Sequence, residues 1–499
     1  MTSTQKNDTM TLSLVVLLAM ALTFPALGMA AEAGAGRGLP AFPGAEGWGS
    51  DTPGGRGGKV IYVTNLNPDG PGSLQAACAT PAPRIVVFAV SGVISNTITI
   101  EHGNITIAGQ TAPGAGITIE AMLLANPGLS NLVIRFVRVR PRPCKEMFPA
   151  RGQPDNELMK RLERLGHINA NLNIRSDGAG EGHDGIRISE CNHVVLDHVS
   201  CSWSTDESVE ACGTTFATFQ WCSFEEPTIS GHPKYRGYHN FGPFVGYNVN
   251  GSFVTFHHNL FAHNSRRCPS VRDGFADLRN NVIYNSRGGF DHDGGCAQTD
   301  RSHDYNYVGN YFKRGPNSTG VLAGVSWGRA TWWAEFRRPG RGSKYYVEDN
   351  LWDNQPPPLP AYIEDGTCRL KEPMPCPKVT TQKAKEAYEL VLARAGAWPY
   401  DAVTRRTIEE VRNGTGTYGR REPKGGLMEG LTPGVAPLDT DKDGMPDEWE
   451  KKHGFDPAKD DSAKVMPGGY TAIEAYVNEL AEQIVRGPTP RTDAPKGNP

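Results

Sequence analysis

A right-handed parallel β-helix, an all-β solenoid with a helical C-terminal extension, is the fold this chain predicts, and three observations carry it. Short runs rich in Val, Ile and Phe recur with turn residues between them, at Val60–Thr64, Ile85–Val90, Ile98–Ile100, Ile105–Ala108, Ile117–Ile119 and Leu132–Arg140. From residue 186 a pattern repeats: His193-Val-Val-Leu-Asp-His198, Thr218-Phe-Gln-Trp-Cys222, Val254-Thr-Phe-His-His-Asn259, Ala276-Asp-Leu-Arg-Asn-Asn281, Tyr305-Asn-Tyr-Val-Gly-Asn310 and Tyr346-Val-Glu-Asp-Asn350. The chain is also rich in turn formers, with 58 glycines and 38 prolines in 499 residues. A period of about 20–25 residues built on short strands marks a solenoid. Strands do not alternate with long helices as a doubly wound sheet requires. A β-sandwich would instead show alternating strands joined by tight hairpins.

Taken in order, the N-terminus reads as an address. Lys6 precedes an apolar run from Met10 to Leu27, and small residues follow at Gly28, Ala30 and Ala31. Residues 1–31 are therefore expected to be a secretory signal cleaved near Ala30 or Ala31; Pro25 and the small residues argue against a permanent anchor. No later stretch is long and apolar enough to span a bilayer, so the mature protein is expected to be soluble and secreted or periplasmic. Its ten cysteines then lie in a disulfide-permissive compartment, where some bridges are expected and Cys368–Cys376 could clip a surface loop. No Cys-x-x-Cys pair exists to support a zinc or thioredoxin-like site.

The β-helix is assigned to residues 32–360. Each coil should stack its strands about 4.8 Å above those of the coil before it, so that like residues form columns. Asn259 and Asn281 are 22 residues apart, Asn264 and Asn285 are 21 apart, and the pairs Cys191/Cys212 and Cys201/Cys222 are each 21 apart. Asparagine tolerates left-handed backbone angles and bonds to its own turn, which suits a repeated bend. After the stiff stretch Gln355-Pro-Pro-Pro-Leu-Pro360, residues 361–430 hold two expected helices, Lys383–Ala395 and Asp401–Val411, that pack on the solenoid or cover its end. Residues 431–499 hold one compact motif and a short helix, Thr471–Leu480. Lys+Arg 51 against Asp+Glu 54 gives a net charge of −3, which argues against bulk nucleic-acid binding. The chain is read as a monomer.

Three constellations carry chemistry. Asp184 precedes Asp206 by 22 residues, about one coil, and Asp206 and Glu210 flank one short strand. Stacking would gather these carboxylates on one wall, where they repel unless a cation, with calcium the best fit, sits among them; a solvated acidic surface is the plainer alternative. Arg267 and Arg272, in Asn264-Ser-Arg-Arg-Cys-Pro-Ser-Val-Arg272, lie two to three coils further on, and paired arginines grip carboxylates. The third is Asp439-Thr-Asp-Lys-Asp-Gly-Met-Pro-Asp-Glu-Trp-Glu450. Asp439, Asp441, Asp443, the Met445 carbonyl, Asp447 and Glu450 fit the oxygen positions of an EF-hand-like calcium loop, with Gly444 sixth. It is read as a structural staple of the tail, since a partner-docking module would normally carry two such loops.

Other features are weaker. Gly54-Gly-Arg-Gly-Gly58 lacks the Lys-Ser/Thr of a phosphate loop. His257 and His258 occupy adjacent strand positions and should face opposite ways. Asp197-His198 reads as a hydrogen-bonding pair within a coil and Asp291-His-Asp293 as a polar turn, while Trp332-Trp333 and Trp352 could stack on sugars or merely pack.

Arg267-Cys-Pro-Ser-Val-Arg272 resembles the Arg-Ala-Pro-x-x-Arg signature of the pectate lyase superfamily, and Val194-Val-Leu-Asp-His198 its Val-Trp-Ile-Asp-His strand. The leader Ala41-Phe-Pro-Gly-Ala-Glu-Gly-Trp-Gly49, with Gly54–Gly58 and Ile105-Thr-Ile-Ala-Gly-Gln-Thr-Ala-Pro-Gly114, is similar to a secreted bacterial, polysaccharide lyase family 1-like branch. The likeness runs in order over roughly residues 41–355 and extends into the C-terminal helices.

The resemblance implies a catalytic calcium on Asp184, Asp206 and Glu210, where Glu210 replaces the more usual Asp. It implies Arg267 as the base that takes the C5 proton of galacturonate, Arg272 as its substrate-binding support, and Lys234, in Gly231-His-Pro-Lys-Tyr-Arg236, as a substrate-binding lysine. Cys268 stands where alanine is usual. The partner would be an acidic polysaccharide, cleaved by β-elimination to 4,5-unsaturated products, with an alkaline optimum because arginine is a reluctant base. The alternatives are a polygalacturonase-type hydrolase, which needs carboxylates around a water, and a non-catalytic β-helical adhesin. The polygalacturonase Asn-Thr-Asp motif is absent.

Overall fold

The computed structural model describes residues 38–81, 83–141, 184–228, 240–248, 251–272, 274–291, 303–318, 343–359 and 361–486. The expected signal segment, Lys234, Asp293 and Trp332-Trp333 lie outside the described residues. Three sheets wrap one core: a ten-stranded sheet from Lys59–Val63 to Ser343–Glu348, a nine-stranded sheet from Gly92–Ile94 to Leu351–Trp352, and a six-stranded sheet from Ile98–Ile100 to Ser270–Val271. Neighbouring strands in each sheet pair in parallel, and successive coils supply them in turn, which makes the fold a parallel β-helix.

The core is built of columns. Leu196, Phe219, Phe256 and Leu278 follow one another in register, all buried, and the Phe219 and Phe256 rings stack 4.3 Å apart. The asparagine column is real. Asn259, Asn281, Asn310 and Asn350 form a ladder in which each amide nitrogen donates to the next asparagine's Oδ1, at 2.8–3.1 Å. Each ladder Nδ2 also donates to a carbonyl of the preceding coil, as Asn281 does to Phe256 at 2.8 Å.

The left-handed residues of this bend are not the ladder asparagines. They are the residues one step earlier, Phe136, His198, Trp221, His258 and Asn280, with φ of 52–56°. The first four stack ring on ring, at 4.7, 6.1 and 4.2 Å. Asn264 and Asn285 are one position out of register, because Ala262 pairs with Tyr284. The cysteine columns do not form either: Cys201 stands opposite Phe224, not Cys222. The eight cysteines among the described residues, Cys368 and Cys376 included, are free thiols. A shared spacing of 21 failed here because coil length varies, and register is decided by strand pairing.

The expected strand Leu132–Arg140 is two strands, Ser130–Arg135 and Val137–Val139, broken at the left-handed Phe136. The sequence reading missed the helix Leu74–Ala79, which is capped by Ser73. Helices Ala384–Arg394 and Ala402–Asn413 pack their apolar sides, including Val391, Leu392, Ile408 and Val411, on Leu260, Val282 and Tyr284 of the nine-stranded sheet. Buried ion pairs pin them there. Arg140 reaches Asp401 at 3.0 Å, and His263 meets Glu410, which also takes Arg421.

The tail docks on the first coils of the ten-stranded sheet. Met445, Trp449, Ile473 and Val477 pack with Ile85, Val87 and Ala108. Arg56 pairs with Glu474 at 2.8 Å, and Arg135 donates to Asn478 at 3.0 Å. No helix among the described residues is long and apolar enough to cross a membrane.

Candidate active site

The six-stranded sheet runs from Ile98–Ile100 through Ile186–Arg187, Val209–Cys212 and Phe244–Gly246 to Ser270–Val271. Ile186 pairs with Val209 and Arg187 with Glu210. By the same register Asp184 stands against Glu207, whose backbone N–H donates to Asp184 Oδ1 at 3.3 Å. Carboxylate oxygens of Asp184, Asp206 and Glu207 all lie within 4.8 Å of one another. Asp184 is fully buried. Burial, with Glu210 and Asp206 nearby, lifts its carboxyl well above the usual range even though Arg187 opposes the shift.

The third acid of this convergent set is therefore Glu207, where spacing pointed to Glu210. Glu210 is not remote: it acts on Asp184 electrostatically and shares Arg187 with it, with Arg187 Nη2 2.8 Å from Glu210 and Nε 2.7 Å from Asp184. Counting residues per coil could not separate Glu207 from Glu210. Only the pairing of Arg187 with Glu210 does so.

The arginines arrive from two coils further on. Phe241 bridges in register to Glu207 on one side and Arg266 on the other, which carries the next residue, Arg267, over the acidic cluster. The Arg267 guanidinium contacts the Glu207 carboxylate and lies between the rings of Phe241 and Phe244, 4.6 and 4.9 Å from their centroids. Arg267 itself has φ of 59°, and its N–H donates to Asp291 at 3.3 Å. Arg272 is hydrogen-bonded through its backbone to Val245 at 2.8 Å, and its guanidinium sits 4.1 Å from the Tyr247 ring. Gly246 permits this approach, since a Cβ there would meet Arg272 Cβ at 2.8 Å. Phe241, Phe244 and Tyr247 were not singled out by sequence; aromatic residues beside a coil carry no motif of their own.

The tail loop brings Asp439, Asp441 and Asp443 within 4.8 Å of one another, with Gly444 at φ 100°. A Cβ at Gly444 would strike Val60 and Ile473 at 2.8 Å each, so glycine is required for docking as well as for the turn. Glu450, on the helix Asp447–His453, is fully buried, and neither of its carboxylate oxygens has a hydrogen-bond partner. Burial, then the aspartates around it, push Glu450 up to about 7 and Asp443 to about 6. Asp447 accepts from the Thr440 N–H and hydroxyl at 2.8 and 2.9 Å. Met445 is buried and donates its N–H to Asp443 at 2.9 Å.

His257 and His258 do not face apart. His258 is the left-handed bend residue beyond the strand, so strand alternation stops at His257 and the two Nδ1 atoms meet at 2.9 Å. Asp197 accepts from His198 at 2.9 Å, from Arg135 at 2.8 Å and from Gln220 at 2.8 Å, as a buried structural junction. Trp352 is half-buried with Arg314 over its ring at 5.3 Å.

A parallel β-helix that gathers carboxylates and a guanidinium on one sheet face places the chain among the β-helical polysaccharide lyases. No family model matches the chain. It is 32% identical over 484 residues to "Probable pectate lyase C" of Neosartorya fischeri, covering 92% of this chain and 99% of that one. It is 33% identical over 464 residues to the protein of the same name from Aspergillus terreus, covering 89% and 94%. A solved structure described as "Structural insights into substrate specificity and the anti beta-elimination mechanism of pectate lyase" aligns over 72% of this chain and 98% of its own, at 14% identity and a TM-score of 0.47. The chain belongs to the pectate lyase family.

Proposed function

We propose that this chain is a secreted, calcium-dependent pectate lyase that cleaves polygalacturonate by β-elimination to 4,5-unsaturated oligogalacturonates. The observation that carries the reading is the convergence of Asp184, Asp206 and Glu207 with the Arg267 guanidinium on one face of the six-stranded sheet. A hard-oxygen donor set with a surplus of negative charge suits calcium. Asp184, Asp206 and Glu207 would hold it, with Glu210 completing the charge through Arg187. Calcium there would draw electrons from the galacturonate carboxylate and so acidify the neighbouring C5 hydrogen.

Arg267, acting in its neutral guanidine form, takes that proton. The C5 electrons form the C4–C5 double bond as the C4–oxygen bond breaks, and the departing oxygen takes up a proton from solvent, so that no water is added across the bond. The place of Arg267 against the rings of Phe241 and Phe244 fixes the guanidinium's direction. Arg272, steadied on Tyr247, binds a substrate carboxylate. Lys234 is kept as a substrate-binding residue on the resemblance alone.

A second calcium belongs to the tail loop. Asp439, Asp441, Asp443, the Met445 carbonyl, Asp447 and Glu450 are its ligands, and the carboxylate of Glu450, buried without a partner, is the feature that asks for a cation. Polygalacturonate assayed for ultraviolet-absorbing unsaturated product, with and without chelator, tests the reading. Calcium-dependent absorbance is expected. Reducing ends without absorbance would make the chain a hydrolase, and no product at all would leave a glycan-binding protein.

A further inference from the structure

The carboxylate of Glu207 has two claimants. One of its oxygens lies within the 4.8 Å cluster with Asp184 and Asp206, and the same side chain meets the Arg267 guanidinium. Glu207 is 6% exposed, so neither contact is diluted by solvent. A buried anion shared in this way cannot give full strength to both partners, because its negative charge serves either a cation or the guanidinium. Asp184 is shared in a similar way, between the cluster and Arg187, but Arg187 also has the Glu210 carboxylate as a second anion.

We infer that Glu207 is a positioning residue that couples cation binding to the freedom of Arg267. With the cation bound, Glu207 turns its charge toward the metal site and releases Arg267 toward the substrate. Without the cation, it holds Arg267 down. The inference rests on the calcium reading above and adds to it a second task for the ion: unlocking the base. The rings of Phe241 and Phe244 keep the released guanidinium in place.

Competition for one carboxylate has a thermodynamic signature, a non-additive cycle. Calcium chloride alone is titrated by calorimetry into the full-length wild type, E207Q, R267A and the double variant; the tail loop is common to all four, so its heat cancels in the comparison. E207Q is expected to weaken calcium on the order of tenfold, as loss of a charged ligand does. R267A is expected to tighten it several-fold by removing the rival. In the E207Q background the R267A effect should fall below about twofold.

An R267A effect of equal size in both backgrounds would mean a general field effect and would overturn the inference, as would unchanged affinity in E207Q. Should E207Q fail to fold, E207D replaces it: its shorter arm keeps the charge but cannot span both partners, so the R267A effect should again shrink. Unsaturated product from the wild type together with an additive cycle would defeat this inference alone. Absence of product would defeat the lyase reading, whatever the cycle gives.

Discussion

The acidic cluster on the sheet face and the acidic cluster in the tail use the same side chains and are assembled in opposite ways. In the tail, Asp439, Asp441, Asp443 and Glu450 belong to one continuous segment that folds back on itself around Gly444. Its surroundings are apolar, with Met445, Trp449 and Ile473 pressed onto Ile85 and Val87. On the sheet, Asp184 and Glu207 come from consecutive coils, and Arg267 arrives through the pairing of Phe241 with its neighbours. There the acids meet guanidinium groups and aromatic rings. A cation in the tail would only hold chain to chain, whereas a cation on the sheet face would sit beside Arg267, the proposed base.

The largest test of this contrast is removal of the proposed base, Arg267. R267A, and equally R267K, should lower turnover of polygalacturonate by on the order of 10²–10⁴-fold. At saturating calcium the thermal midpoint should change little, because the cation then satisfies Glu207. Near-normal turnover in R267A would remove the chemical half of the comparison.

The tail cluster should show the reverse pattern. Binding of an ion to the folded state alone stabilises it by about 2.7 kcal/mol at a hundredfold excess over Kd. Chelator should therefore lower the wild-type thermal midpoint, and E450Q should lose most of the part of that response that comes from the tail. If E450Q cut turnover a thousandfold well below its midpoint, the tail would belong to the chemistry and the distinction would be lost.

The same contrast explains what the sequence could disclose. The tail cluster was legible because Asp439, Asp441, Asp443 and Gly444 lie at fixed offsets along one segment, and Gly444 takes the positive φ the pattern demands. The β-helix was legible because a column such as Asn259, Asn281, Asn310 and Asn350 writes its period into the chain. The sheet-face site was only half legible. Asp184, Asp206 and the arginines stand out by type, but the third acid depends on register, and one coil from Asp184 the chain offers both Glu207 and Glu210. Backbone pairing of Ile186 with Val209 sets Glu207 against Asp184 and Glu210 against Arg187. The pairing of His257 with His258 was hidden for a like reason: strand alternation predicts opposite faces until the bend at His258 breaks it.

Acid tests the comparison from outside both clusters. Loss of stability at low pH would ordinarily be assigned to carboxylates losing their cations, yet the β-helix carries its own acid-sensitive group. His258 is buried at the bend, stacked 4.2 Å from Trp221, with Nε2 2.6 Å from Gln382 Oε1. Burial, aided by Arg394 and Arg279 and opposed by the Gln382 bond, lowers its pKa to about 4. The unfolded chain takes up this proton near pH 6.5, whereas the folded chain resists until about pH 4. Stability from this group is therefore intact above pH 6.5 and falls as pH drops toward 4, by up to about 3 kcal/mol over the window. Denaturant unfolding of wild type and H258Q between pH 7 and 4, at saturating calcium throughout, measures it. The wild type should lose stability more steeply than H258Q; parallel curves would return the acid sensitivity to the carboxylate clusters.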